Sequence, residues 1–417
     1  TYQDYVWKVT VEQIIDRKVD VEGMTSCVID PSTRNVIIYV GSDQDLSNIT
    51  VKTLNLGGEF GEVTPNPADV HDFTTSQKFY ARLNWEPEGQ YSTWNVFVYH
   101  DEGGGSSTSN SDVFARVTSA TLTGNIQSGK TPVVEYKEQS ASDWQTVSDV
   151  SVSSTKFTAN ITGLSASTTY SYRVSVDGVA GAEKTFTTVA ATPLENGGFE
   201  NWHTEGKIEI PNAEGSDFWG TGNPGAASFI GNLTTPTNDA VSGQAACLET
   251  KDAFIKLGAG NIFTGDFQLD GTNGILHFGR PFTSFPTALR LHYKYTSATI
   301  DRIGDEVGSL ENLRGRPDSC HIFIALSDKS EPYEIRTKPS VRQLFDKNDR
   351  NIIAYGEFIK GESVSSYQQL TIPLEYRATN RTPKYIIIVC AASKYGDYFI
   401  GGVGSTLFID EMELVYE

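Results

Sequence analysis

Apolar residues in this chain fall in short runs broken by turn residues, and hardly anywhere at the 3.6-residue spacing of a helix. Residues 34–40 form a β-branched run and 95–99 alternate apolar with polar. The stretches 133–137, 170–176, 289–295, 321–326, 385–389 and 407–416 follow the same logic. Such runs, bounded by Gly, Pro, Asn, Asp and Ser, predict strands. Helix is suggested only at 10–18 and as a short turn at 340–345, where Pro339-Ser340 resembles a helix entry. The pattern therefore predicts an all-β chain built as a set of sandwiches.

Length and composition divide that chain. Its 417 residues suggest roughly three domains at about 150 residues each. Residues 101–110 (DEGGGSSTSN) carry no apolar side chain and predict a flexible tether. A second boundary falls near 187–193, where a strand-like Lys-Thr-Phe-Thr gives way to Ala-Ala-Thr-Pro. The expected segments are 1–100, 111–189 and 194–417. In the first, Asp69-Val70-His71-Asp72-Phe73 and a strand ending Trp94-Asn95-Val96-Phe97-Val98 are similar to the Ig-like modules at the N-terminus of Bacteroidetes surface lipoproteins. In the second, Gly163-Leu164 followed by Tyr170-Ser171-Tyr172-Arg173-Val174 resembles a fibronectin type III module. Tyr170 suits a tyrosine corner, whose hydroxyl bonds nearby backbone. The third segment has the size and long polar loops of a jelly roll. The expected fold is two N-terminal Ig-like or fibronectin-like sandwiches followed by a larger C-terminal jelly roll.

Charge narrows the partners. With 33 Lys+Arg against 52 Asp+Glu the net charge is −19, which repels phosphate backbones and anionic lipid and argues against nucleic acid or a membrane surface. The longest apolar run, 385–392, is far short of the roughly 18 residues of a membrane helix. The chain opens Thr1-Tyr2-Gln3-Asp4 without a signal peptide, and reads as a mature chain whose export signal was removed. That places it outside the cell, on the outer-membrane surface or in the periplasm, with any membrane attachment through an N-terminal lipid anchor absent from this chain. Cys27, Cys247, Cys320 and Cys390 are far apart, and Cys320-His321 alone makes no zinc site. Free, buried thiols are expected, a bridge within the last domain being the alternative.

The standard catalytic signatures are missing: no G-x-S-x-G, Walker loop, H-E-x-x-H or post-strand G-x-G-x-x-G occurs. Residues 401–406 (GGVGST) precede a strand and read as a hairpin loop. The ends of the third segment, Glu195-Asn196-Gly197-Gly198-Phe199-Glu200 and Leu407-Phe408-Ile409-Asp410-Glu411-Met412-Glu413-Leu414, deserve comparison. Strand alternation puts Asp410 on one face with Met412 and Leu414, where a carboxylate needs a partner. These ends resemble the termini of jelly-roll carbohydrate-binding modules, which meet around a structural calcium. The resemblance implies Glu200 and Asp410 as Ca2+ ligands, the alternative being a hydrogen-bonded Asp at the sheet edge. The same tail is similar to the E-x-D-x-x-E strand of laminarinase-like hydrolases, but Phe408 stands where the nucleophile belongs.

A wider series carries a further likeness. Residues 260–267 (GNIFTGDF), 278–282 (FGRPF), 289–295, 322–328, 354–357 (AYGE), 393–399 (SKYGDYF) and 404–407 (GSTL) resemble, in order, the "putative carbohydrate metabolism domain" family of Bacteroidetes. The resemblance implies a jelly roll behind Ig-like domains and a role in handling an oligo- or polysaccharide; it supplies no catalytic residues. Sugar faces stack on aromatic rings and hydroxyls pair with planar polar groups. Trp219 and Asn223 on a Gly-rich loop, nearby Trp202, Arg280 between Gly279 and Pro281, Lys294 and Tyr398 are therefore candidate ligand-binding residues. Asp397 and Glu357, each beside a Gly, are candidate catalytic carboxyls. Each has an ordinary alternative: core aromatic, paired Arg, turn Asp. His277, His292 and His321 read as hydrogen-bonded or surface histidines. The expected function is a glycan-binding accessory protein in carbohydrate utilisation. The alternatives are a glycoside hydrolase using Asp397 and Glu357, and a structural or adhesion protein of tandem β modules.

Overall fold

The computed structural model describes residues 15–41, 44–100, 112–126, 129–153, 155–254, 256–378 and 380–416, and they are nearly all β. The expected tether at 101–110 lies outside them, as does most of the expected helix at 10–18, whose last residue, Lys18, opens a strand. At 340–345 only a single turn of 3₁₀ helix forms, Pro339–Val341.

Two compact units result. The first comprises the described parts of Thr1–Val113, Leu122–Asn160 and Ser171–Thr185. Its main sheet runs Met24–Asp30, Asn35–Val40, Ser92–His100, Gln77–Leu83, Gly61–Thr64, with Asn35–Val40 parallel to Ser92–His100 and the other neighbours antiparallel. Alternation does the sorting: Val36, Ile38 and Val40 are buried with Trp94, Val96 and Val98, while the residues between them face outward. Pro132–Glu138 pairs with Gln145–Thr146, and Asp149–Ser153 with Lys156–Thr162.

The second unit comprises the described parts of Phe114–Thr121, Ile161–Tyr170 and Phe186–Glu417. The Tyr170 hydroxyl accepts a hydrogen bond from the Ser165 N–H at 2.8 Å, the corner expected of it. Two antiparallel sheets dominate this unit. The strands are β1 (Trp219–Thr221), β2 (Thr234–Thr237), β3 (Ala245–Glu249), β4 (Asn261–Asp270), β5 (Asn273–Phe278), β6 (Ala288–Thr296), β7 (Cys320–Ser327), β8 (Tyr333–Arg336), β9 (Ile352–Lys360), β10 (Val364–Pro373), β11 (Tyr385–Ala391) and β12 (Thr406–Val415). One sheet is ordered β2-β3-β12-β6-β10. The larger is ordered β8-β5-β4-β11-β7-β9, with β1 beside β4.

The core between the sheets takes Leu289, Leu291, Tyr293 and Tyr295 from β6, Leu407 and Ile409 from β12, and Ile322, Ile324, Ile386 and Ile388 from the larger sheet. On β7 and β11 the residues between these are apolar too. Phe323, Ala325, Ile387 and Val389 form a second cluster with Phe263, Phe278 and Tyr355 on the opposite face. The centre of the larger sheet is therefore covered on both sides, so Ile-Ile-Ile-Val runs replace alternation. Gly265 lets β4 serve two neighbours. Its φ of +145° and its closeness to His277 O, 1.9 Å from where a Cβ would lie, admit only glycine. Before it β4 pairs with β11, after it with β5.

Candidate functional site

The second apolar face of the larger sheet floors a cleft of about 710 Å³. Cross-strand register sets its floor in rows. Glu357, Phe323, Val389 and Phe263 lie side by side across β9, β7, β11 and β4. The next row is Ile359, His321, Ala391 and Asn261. The walls come from the turn after β11 (Tyr395, Asp397, Tyr398, Phe399), from Phe345 and Lys347, and from the short helix at Asn223–Ala226 with Phe229 beyond it.

A polar cluster occupies the β7–β9 end. Glu357 Oε2 accepts from the Tyr355 hydroxyl at 3.0 Å and lies 3.2 Å from His321 Nε2, and Lys347 pairs with Oε1. Burial opposes the charge of Glu357, but the bonds from Lys347, Tyr355 and His321 outweigh it and hold the carboxyl below its ordinary range. Burial pushes His321 down against the pull of Glu357, so the imidazole is neutral at neutral pH. Asp397 behaves oppositely. It sits half-buried in the Gly396–Tyr398 turn, and burial raises its carboxyl to about 6, with Arg342 only partly offsetting this. The cleft thus holds one carboxyl kept ionised and one that keeps its proton into mildly acidic pH.

Of the residues singled out from sequence, Glu357, Asp397 and Tyr398 line this cleft. The others do not, and in each case but Lys294 backbone has taken the polar group. Trp219 is only 2% exposed, its indole N–H donating to Glu195 O at 2.8 Å. Asn223 is fully buried: its amide donates to Glu209 O and Thr234 O and accepts from the N–H groups of Leu233 and Thr234. Trp202 donates to Phe199 O at 2.7 Å. Arg280 spends its fork on the carbonyls of Asp217, Phe218 and Gly265 and on the Asp217 carboxylate. Lys294 pairs with Asp239 and lies over the rings of Tyr367 and Phe408, on the outer face of the other sheet. The cleft residues sequence reasoning missed are His321, Tyr355, Phe323 and Lys347. Their signal was the spacing of two that puts His321 with Phe323, and Tyr355 with Glu357, on one strand face.

The ends of the segment do meet, with Met412 N–H donating to Gly197 O at 2.8 Å, but the donor set there does not suit a cation. Asp410 is not on the face of Met412 and Leu414. A bulge at Glu411 (φ +48°) shifts the phase of β12, so Asp410 pairs with His292 on the outer face. The 241–244 loop covers it. Asp410 accepts from the N–H groups of Val241 (2.6 Å), Ser242 (3.1 Å) and Glu411 (2.7 Å), and Glu200 accepts from Gln244 N–H. N–H donors carry positive partial charge and fill the lone pairs a calcium would need. Among the described residues no set of three or more His, Cys, Asp and Glu is arranged to hold a metal. The four cysteines are free, Cys320 and Cys390 buried, Cys27 and Cys247 half-buried. Among the described residues no helix is long and apolar enough to cross a membrane.

Residues 185–415 match the family described as "Putative carbohydrate metabolism domain". No curated protein matches the chain. Among solved structures, the chain is similar to one described as a putative glycoside hydrolase from Bacteroides thetaiotaomicron, at 17% identity over 98% of this chain and 99% of that one, TM-score 0.38. A second so described, from Bacteroides vulgatus, has 22% identity over 54% of this chain and 98% of that one, TM-score 0.40. A surface glycan-binding protein from Prevotella bryantii has 11% identity over 84% and 83%, TM-score 0.20.

Proposed function

This chain belongs to the "putative carbohydrate metabolism domain" family, and we propose that it is a secreted or surface-exposed glycan-binding accessory protein whose sugar lies in the cleft on the larger sheet. The observation that carries this reading is the cleft itself. It is an aromatic-floored hollow of about 710 Å³, lined in part by Tyr398, with Tyr355, His321, Glu357 and Lys347 converging at one end. Rings take sugar faces and the cluster takes hydroxyls. Segments 1–100 and 111–189 serve as β modules that carry the sugar-binding domain 194–417. A hollow of this size favours a small ligand over the broad apolar patch that an adhesion protein would present. Calorimetry against a broad panel of neutral oligosaccharides tests the reading. At least one sugar should bind, and Glu357→Gln and Tyr398→Ala should each weaken it about tenfold or more. Unchanged affinity in both variants would remove the sugar from this cleft.

A second reading, glycoside hydrolysis, is favoured by one observation: Asp397 is raised to about 6 while Glu357 is held low, in the same cleft. Environments that push two carboxyls apart divide acid and base roles. Asp397 would protonate the leaving oxygen, and Glu357 would serve as base or nucleophile. Release of reducing ends, lost in both Asp397→Asn and Glu357→Gln, is the expected sign. Binding without turnover across the panel would leave the accessory role alone.

A further inference from the structure

We infer that the cleft takes a sugar carrying an apolar substituent, an aryl or acyl group, with the sugar at the β7–β9 end and the substituent at the β4–β5 end; this rests on the sugar-binding reading above. The two ends differ in kind. His321 and Glu357 stand on β7 and β9, whereas Phe263, Phe267, Leu276 and Phe278 stand on β4 and β5. From β5 to β9 is four strand steps, about 19 Å at the usual spacing. That is enough for a sugar and an attached group side by side.

The β4–β5 end is poor in free polar side chains. Three of the polar side chains there are already committed. Asn261 accepts from Gly222 N–H and donates to Ala259 O. Asn273 pairs with Lys256 and donates to Asp270 O. Thr337 accepts from Gly274 N–H and donates to Gly274 O. A sugar hydroxyl set against these three would lose water and find no open partner. Apolar atoms meet the opposite situation, because Phe229 and Leu269 line the cleft yet are 82% and 54% exposed. A substituent seated at this end would cover large apolar side chains that now face water.

The test uses the full chain and matched probes. Methyl and phenyl glycosides of each sugar in the panel, and phenol alone, are titrated by calorimetry. The phenyl glycoside of a recognised sugar should bind about tenfold or more tightly than its methyl glycoside. Phenol alone should bind far more weakly than either. Phe229→Ser and Leu269→Ser, both at exposed positions, should bring the phenyl glycoside's affinity down to about that of the methyl glycoside. Equal affinity for methyl and phenyl glycosides would overturn this inference while the sugar-binding reading stands. Phenol binding as tightly as the phenyl glycoside, or no glycoside binding at all, would overturn both.

Discussion

Replacing Asp397 with Asn should make the protein more stable, by an amount that depends on pH in a defined way. The Asp397 carboxyl is raised from an ordinary 3.8 to about 6, chiefly because burial penalises its charge, with Arg342 pulling the other way. Each tenfold change in proton affinity is worth about 1.4 kcal/mol, so the rise corresponds to ~3 kcal/mol. The sign follows from which state holds the proton. Below about pH 4 both states are protonated and the group contributes nothing. Between about pH 4 and 6 the folded chain keeps a proton that the unfolded chain has released, so stability falls as pH rises. Above about pH 6 the full ~3 kcal/mol is lost. Asn resembles the protonated carboxyl at every pH and escapes that loss. For a unit of this size ~3 kcal/mol is a rise of about 6–12 °C in melting temperature. Calorimetric melts of both proteins from pH 4 to pH 8 should show curves that coincide at the acid end and separate above pH 5. A constant offset, or none at pH 8, would refute the argument that burial raises this carboxyl. Stability gained by removing a cleft residue is what a functional group held at a stability cost predicts.

Three other outcomes follow from contacts described above. Asp410→Ala leaves the N–H groups of Val241, Ser242 and Glu411 under a covering loop without their acceptor, and should cost about 2–4 kcal/mol in chemical denaturation. A chelator should not shift the wild-type melt, and a drop would restore calcium to this position. Gly265→Ala places a Cβ against His277 O at a φ of +145° and should destabilise the cleft unit by about 2 kcal/mol or more, read from its melting temperature. Trp219→Phe removes the bond to Glu195 O and part of the core. It should cost about 1–3 kcal/mol yet leave sugar affinity unaltered, and a selective loss of affinity would return Trp219 to the site.

Strands were legible wherever one rule set the residue type. Asn35–Val40 alternates because one face is core and the other is not, and β7 and β11 are uninterrupted apolar runs because both faces are covered. Face assignment failed where one residue broke the count. Strict alternation places Asp410 inward, but the bulge at Glu411 restarts the phase, and Ile409 and Met412 become successive core residues three positions apart. Nothing local marks that bulge, since the residue at positive φ is Glu411, neither Gly nor Asn.

The residues that line the cleft are harder to read for a related reason. Trp219, Asn223 and Arg280 carry groups that can recognise a sugar, but the same groups can satisfy backbone. Here carbonyls such as Glu195 O, Thr234 O and Gly265 O claimed them first. Residue type records the capacity to bond, not which partner arrives. Asp397 and Glu357, each beside a Gly, do line the cleft, whereas Phe323 and Tyr355 give no such signal, because an aromatic on a strand reads as core. Both are core in part: their rings pack at 5.9 Å within the second apolar cluster while lining the cleft. A sheet buried on one side and hollowed on the other uses the same residues for packing and for recognition. The signal that separates the two roles is the polar residue inserted into such a strand, His321 beside Phe323 and Glu357 beside Tyr355, whose partner must lie on the same face.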